Sequence, residues 1–254
     1  MSGSGLADRV VLVTGARSGI GAATTRALRT AGAKIVAADR TELDLPDAIA
    51  EADPGEAVAI EVDVATEHGV WKAVETCRER FGRLDGLVAN AAISRSGTAD
   101  DTTPAVWDEV IATNLRSVYL AAHYGVPLMR ESGGGSFVAV ASQLGLVGKP
   151  RAAAYCAAKG GVVNLVRAMA LDHAPDNIRV NCVCPGPTET PMLQQDLGAS
   201  SGSASVREQI RHRVPMSRFG KPEEVASTII FLLSDATTFV TGAAWTVDGG
   251  YLAA

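Results

Sequence analysis

Cysteine and histidine are scarce in this chain, with four of each in 254 residues. Cys77, Cys156, Cys182 and Cys184 lack the spacing of zinc ligands,. Cys182 and Cys184 stand two apart in an apolar strand pattern and share one face, so buried, reduced thiols are expected,. His68, His123, His173 and His212 are far apart, which gives a metal site little support,. No apolar run reaches the ~18 residues a bilayer crossing needs, and "MSGSGLADRVVLVTG" has no positive region followed by an uninterrupted apolar one, so the chain reads as cytoplasmic,. Lysine and arginine (23) are outnumbered by aspartate and glutamate (28), and the scattered cations form no stripe for a phosphate backbone,. A nucleic-acid partner is therefore not expected.

What is present is apolar residue and glycine. Hydrophobic residues make up 47% of the chain and 26 residues are glycine, as in a globular enzyme,. "RVVLVTG", "AKIVAAD", "AVAIEVD", "LDGLVANAA", "GSFVAVAS", "IRVNCVCPG" and "AWTVDGG" are continuous apolar runs separated by helix-length segments. Such runs mark strands covered on both faces, and the alternation predicts a parallel, doubly wound α/β sheet in one domain over 1–254. "GIGAATTRALRTAGA" ends at Gly32, and Thr103 precedes Pro104 at the start of a second helix,. The polar stretch from Leu197 to Ser205, just after "PGPTETPML", suggests a lid over about 188–215,.

After the first run comes "TGARSGIG". Gly15, Gly19 and Gly21 let the backbone turn tightly and approach a pyrophosphate, whose charge a helix N-terminus stabilises. The spacing is G-x-x-x-G-x-G rather than G-x-G-x-x-G, and a glycine turn alone is only a moderate signal. Asp39 ends the second run, 18 residues beyond Gly21. A carboxylate there accepts from ribose hydroxyls and repels a 2′-phosphate, which favours NAD over NADP, while Arg17 and Arg40 could instead pair with a phosphate.

"AAAYCAAKGG" places Tyr155 four residues before Lys159. On a helix the two share a face, about 5–6 Å apart at Cβ. A phenol titrates near pH 10, and a nearby ammonium lowers that value, so the lysine is expected to make the tyrosine a usable acid or base. Ser142, at the end of the fifth run, stands where parallel strands present functional groups and can hydrogen bond a carbonyl oxygen.

On these residues the chain, from Arg9 to Gly250, resembles the short-chain dehydrogenase/reductase family. The resemblance implies a Rossmann-like fold with seven parallel strands and a cofactor loop over Gly15, Arg17, Ser18, Gly19, Ile20 and Gly21. Asp39 and Arg40 would lie at the adenosine ribose, Asp63 and Val64 at the adenine, and Asn90, Ala91 and Ala92 after the fourth strand. Pro185, Gly186, Thr188 and Thr190 would lie along the nicotinamide. Asn114 would complete a tetrad with Ser142, Tyr155 and Lys159: Tyr155 moves the proton, Ser142 orients the substrate oxygen, Lys159 holds the nicotinamide ribose and Asn114 positions a water. The family's N-N-A-G appears as Ala89, Asn90, Ala91 and Ala92, and Thr188 replaces a branched aliphatic residue. Neither change removes a catalytic group.

The substrate wall is expected from Gln143, Leu144, Val147, Pro150, Arg151, Ser94, Arg95, Met192 and Leu193, around a small or medium secondary alcohol or its ketone. Arg95 and Arg151 could recognise an acid or a sugar. Small and apolar residues on more than one face of "GGVVNLVRAMALDHA" suggest helix-to-helix assembly, and the resemblance implies a homotetramer,. An NADP-dependent acyl-carrier-protein ketoreductase is the alternative enzyme. A halohydrin lyase and a non-catalytic nucleotide sensor are opposed by the glycine loop and by the intact Tyr155 and Lys159.

Overall fold

A computed structural model describes residues 5–41, 57–198 and 203–254. All seven apolar runs are strands: β1 (Val10–Thr14), β2 (Lys34–Asp39), β3 (Ala57–Glu61), β4 (Gly86–Ala89), β5 (Gly135–Val140), β6 (Ile178–Pro185) and β7 (Ala244–Val247). They form one parallel sheet in the order β3-β2-β1-β4-β5-β6-β7. The order reverses between β1 and β4, and that switch point opens a crevice at the strands' carboxyl ends.

Strand side chains alternate between two cores. Val10 and Leu12 face one, with Val70 and Cys77 of α2 (Glu67–Phe81), Val118 and Met129 of α4 (Ser117–Glu131), and Val162 and Val166 of α5 (Ala153–His173). Val11 and Val13 face the other, with Leu28 of α1 (Gly19–Thr30) and Val225 and Ile229 of α8 (Pro222–Leu233). The reading that every strand is covered on both faces holds for the inner five. The outer strands, β3 and β7, are only half-buried and end on exposed or partly exposed residues, because each has one neighbour.

Helix ends follow local chemistry. Thr103 caps α3 (Pro104–Ile111) by accepting from Val106 N, with Pro104 at the first turn,. Gly32, at φ +79°, lies one residue past the Ala31 cap of α1. Between α3 and α4 a π turn, Ala112–Arg116, interrupts what reads in sequence as one continuous helix. After β6 come α6 (Pro191–Gly198) and α7 (Ser203–His212). Residues 199–202 of the expected lid lie outside the described residues.

At the amino ends of the central strands, the buried Asp85 carboxylate accepts from Val10 N at 2.9 Å and from Arg83 at 2.6 and 2.9 Å. It ties β4 to the start of β1. Asp85→Ala leaves the Val10 N–H without its acceptor and is expected to cost about 2 kcal/mol in urea unfolding. A loss under about 0.5 kcal/mol, the level of an exposed ion pair, would mean the carboxylate does not fasten the strands.

Candidate active site

The glycine loop is fixed by close contact. Gly15 (φ +65°) and Gly21 cannot carry a side chain: a Cβ on Gly21 would sit 2.0 Å from the Gly15 carbonyl, and one on Gly15 would sit 2.8 Å from Ala91 Cα,. Asn90 Nδ2 donates to the carbonyls of Thr14 and Gly15, both at 3.0 Å. Thr14 Oγ1 accepts from Asn90 N and Ala91 N, at 3.1 and 3.2 Å. Thr14 escaped the sequence reading, although its place directly before Gly15 was the available signal. Thus Asn90 staples β4 to the loop after β1, and the pair lines the crevice.

The N-terminus of α1 suits an anion. Its cap, Ser18, makes no side-chain hydrogen bond to the first turn, and that turn holds no acidic residue,. Asp39 lies beside it at the end of β2. Its carboxylate accepts from Arg17 N at 3.0 Å and Arg40 N at 2.7 Å, so backbone holds it in place. The Arg17 side chain is bonded to Thr41 Oγ1 instead. Val64 is buried, and the exposed Asp63 carboxylate accepts from Ala65 N at 2.9 Å.

The segment after β6 closes over this loop. Gly186 N donates to Val247 O at 2.9 Å, Thr188 Oγ1 donates to Gly186 O at 2.9 Å, and Pro185 is buried. Thr190 packs on Gly19, whose Cβ would lie 3.0 Å from its methyl. Met192 and Leu193 follow, half-buried, in α6. Glu189 pairs with Arg207 of α7, and the Arg207 guanidinium stacks 4.6 Å above the Phe219 ring.

The four expected catalytic residues stand on β5, the π turn and α5. Lys159 is 2% exposed, and its Nζ donates to Val140 O, the last carbonyl of β5, at 2.7 Å. It lies over the Tyr155 ring, 5.8 Å from the centroid. Ser142 Oγ accepts from Leu144 N at 3.1 Å, and the hydroxyl lies near enough to the Tyr155 phenol to draw it down. Asn114 is fully buried in the π turn and holds the Ile93 backbone from both sides, with Nδ2 donating to O and Oδ1 accepting from N, each at 2.8 Å.

Of the expected substrate wall, Gln143 is buried and Ser94 and Leu144 are half-buried, while Val147 and Pro150 are exposed. Arg95 makes a bidentate pair with Glu109 at 2.7 and 3.1 Å, and Arg151 pairs with Asp101 at 3.1 Å. Both cations are thus engaged at the surface. Among the described residues no three metal-binding side chains cluster, although His212 does meet Glu208, one turn away, at 3.0 Å. All four cysteines are free, and Cys156 is half-buried rather than buried.

A family model described as enoyl-(acyl carrier protein) reductase matches residues 15–252. The chain belongs to the short-chain dehydrogenase/reductase family. It is 41% identical to the 2-(S)-hydroxypropyl-CoM dehydrogenase 3 of Xanthobacter autotrophicus, over 98% of both chains. It is 42% identical to the cis-4-hydroxycyclohexanecarboxylate dehydrogenase of Sinomonas cyclohexanicum, over 99% of both. The solved structure of a levodione reductase superposes with a TM-score of 0.94 at 35% identity, covering 98% of this chain and 99% of that one. As a member of this dehydrogenase/reductase family, the protein is an oxidoreductase acting on alcohol groups.

One electrostatic expectation runs against the direction that burial imposes. Burial pushes the Tyr155 phenol up to about 12, the Ser142 hydrogen bond drawing it partly back, and burial pushes Lys159 down to about 8. The direction of the phenol's shift is set by its burial rather than by the lysine,. Between pH 8 and 10.5 the unfolded chain holds a proton at Lys159 that the folded chain has released, so this group makes stability rise with pH,. Tyr155 acts in the opposite sense, but only above its ordinary value of 10. Wild-type protein without cofactor should therefore gain about 2 kcal/mol relative to Lys159→Met between pH 7 and 9.5 in urea unfolding. Parallel profiles would show that the ammonium is not destabilised by its burial.

Proposed function

We propose that this protein interconverts a small or medium secondary alcohol and its ketone with NAD as the hydride partner. The observation that carries this reading is the Tyr155, Ser142 and Lys159 cluster lying at the carboxyl end of the sheet beside a glycine-bounded helix N-terminus and the fixed Asp39 carboxylate. NAD supplies the hydride acceptor and, reduced, the donor. The uncapped first turn of α1 binds the pyrophosphate through Ser18, Gly19, Ile20 and Gly21, and Asp39 accepts from the adenosine ribose. Asp63 and Val64 border the adenine, and Asn90, Ala91 and Ala92 form the floor of the ribose site. Pro185, Gly186, Thr188 and Thr190 orient the carboxamide.

Ser142 donates to the substrate oxygen and Tyr155 exchanges the proton with it. Lys159 donates to the nicotinamide ribose and, once its charge faces that pocket, stabilises the phenolate. Asn114, buried in the π turn between α3 and α4, positions the water of the proton relay,. Gln143, Ser94, Leu144 and Met192 border the substrate, under a lid formed by α6 and α7.

The names of the relatives support an alcohol carried on a short chain or a ring. An acyl-carrier-protein substrate, as in the family model's description, is less well matched: Asp39 opposes the NADP that such a ketoreductase would take, and a formal charge of −5 does not favour an acidic carrier,. Exposed apolar side chains on α5, α8 and the β7 edge, Leu171, Phe231, Phe239 and Trp245, support assembly as a homotetramer,.

Two variants test the site. Tyr155→Phe should lower kcat by at least about a thousandfold with unchanged NADH binding by cofactor fluorescence. Wild-type turnover would end the acid–base assignment. Asp39→Ala should narrow the NADH-over-NADPH preference by about tenfold or more, and an unchanged ratio would mean that Asp39 does not read the ribose.

A further inference from the structure

The two helices that follow β6 are anchored differently. α6 buries Leu197, whereas no described side chain of α7 is fully buried, Val206 and Ile210 being only half-buried. Apolar burial alone therefore holds α7 weakly. Arg211 and His212 turn back on Glu208 within the helix. Arg207 turns outward. Its guanidinium pairs with the Glu189 carboxylate and lies over the Phe219 ring, 4.6 Å from the centroid, and Phe219 is itself 7% exposed.

Glu189 and Phe219 stand on two segments that backbone already joins. Glu189 N donates to Gly220 O and Gly220 N to Pro187 O, each at 2.9 Å, in a parallel bridge between Thr188 and Gly220. Just beyond, Glu224 accepts from Lys221 N at 2.8 Å and pairs with Arg218 at 2.7 Å, at the start of the α8 helix that carries Val225 and Ile229 into the core. The bridge is thus fixed from the core outward, and Arg207 grips both of its sides. An exposed ion pair alone contributes little, but a planar guanidinium set between a carboxylate and a ring face is shielded and oriented by both.

We propose that Arg207 is a positioning residue that docks α7 on the segment carrying Thr188 and Thr190, and so keeps that helix in place over the substrate. Its effect on turnover rests on the alcohol-dehydrogenase reading above. Glu189 lies between the two threonines that border the nicotinamide in that reading, so the clamp joins the lid to the cofactor's own segment. A docked α7 contributes equally to the ground state and the transition state, which places its loss in KM rather than in kcat.

Hydrogen exchange of the full chain tests the docking without any substrate. In Arg207→Met, which keeps volume but neither charge nor planar face, the α7 amides should exchange about tenfold faster while those of β5 stay unchanged. Arg207→Lys, which keeps the charge alone, should recover part of that protection, and added salt should speed exchange in wild-type α7 but not in Arg207→Met. With cyclopentanol and NAD, Arg207→Met should raise KM about tenfold with kcat within about twofold. Unaltered α7 exchange, equal acceleration in α7 and β5, or a loss confined to kcat would overturn the proposal while leaving the alcohol-dehydrogenase reading intact. Failure of the wild type to oxidise any secondary alcohol would overturn that reading, and the exchange measurement would still decide whether Arg207 docks the helix.

Discussion

A buried ammonium with a single carbonyl partner organises this site. Lys159 Nζ reaches the last carbonyl of β5, which fixes the catalytic helix against the strand that delivers Ser142. A lysine has three protons to donate, and burial with one of them bonded is unfavourable enough to depress its pKa,. The ribose hydroxyls of a dinucleotide are the acceptors that this geometry suits. Under the proposed function, cofactor binding and the electrostatics of Tyr155 would be one event, because the phenol, raised by burial, would face an ammonium that the same ligand stabilises,.

The crevice around that lysine exists because the sheet changes direction between β1 and β4. Two side chains hold it open in a defined shape. Asn90 spans from β4 to the Thr14 and Gly15 carbonyls, and Thr14 answers by accepting from the Asn90 and Ala91 backbone. Gly15 and Gly21 then have no room for a Cβ, so the glycine pattern reflects close backbone approach as much as access for phosphate,. The departure at Ala92, where the family pattern has glycine, falls outside this lattice. It leaves the loop's own bonds in place.

Much of this was legible in the residues. Seven apolar runs were seven strands, since burial on two faces writes an unbroken hydrophobic word, and the Tyr155/Lys159 spacing could be converted directly into a shared helix face,. Three things were not legible. The π turn at Ala112–Arg116 has no composition of its own; it shows only in the structure, where Asn114 within it holds both the N–H and C=O of Ile93. The direction of the Tyr155 shift depends on how deeply the phenol is buried, which spacing does not encode. The half-exposure of β3 and β7 follows from their positions at the ends of the sheet, and position in a sheet is a property of topology rather than of any one strand's sequence.

The choice between the two nicotinamide dinucleotides illustrates how backbone can stiffen a specificity determinant. Asp39 is held by the N–H groups of Arg17 and Arg40, so its carboxylate cannot swing aside when a phosphate approaches. Arg17, whose side chain might neutralise that phosphate, is drawn toward Thr41, and the bond would have to break before the guanidinium could turn inward. Under the NAD reading, a 2′-phosphate meets a fixed negative charge at Asp39, while the Arg17 guanidinium is turned toward Thr41. Removing Asp39 alone also deprives the Arg17 and Arg40 N–H groups of their acceptor, which leaves two donors facing the ribose site. Those donors would themselves attract an anion, so under the proposed NAD preference the carboxylate would both repel a 2′-phosphate and cover the groups that would otherwise bind it.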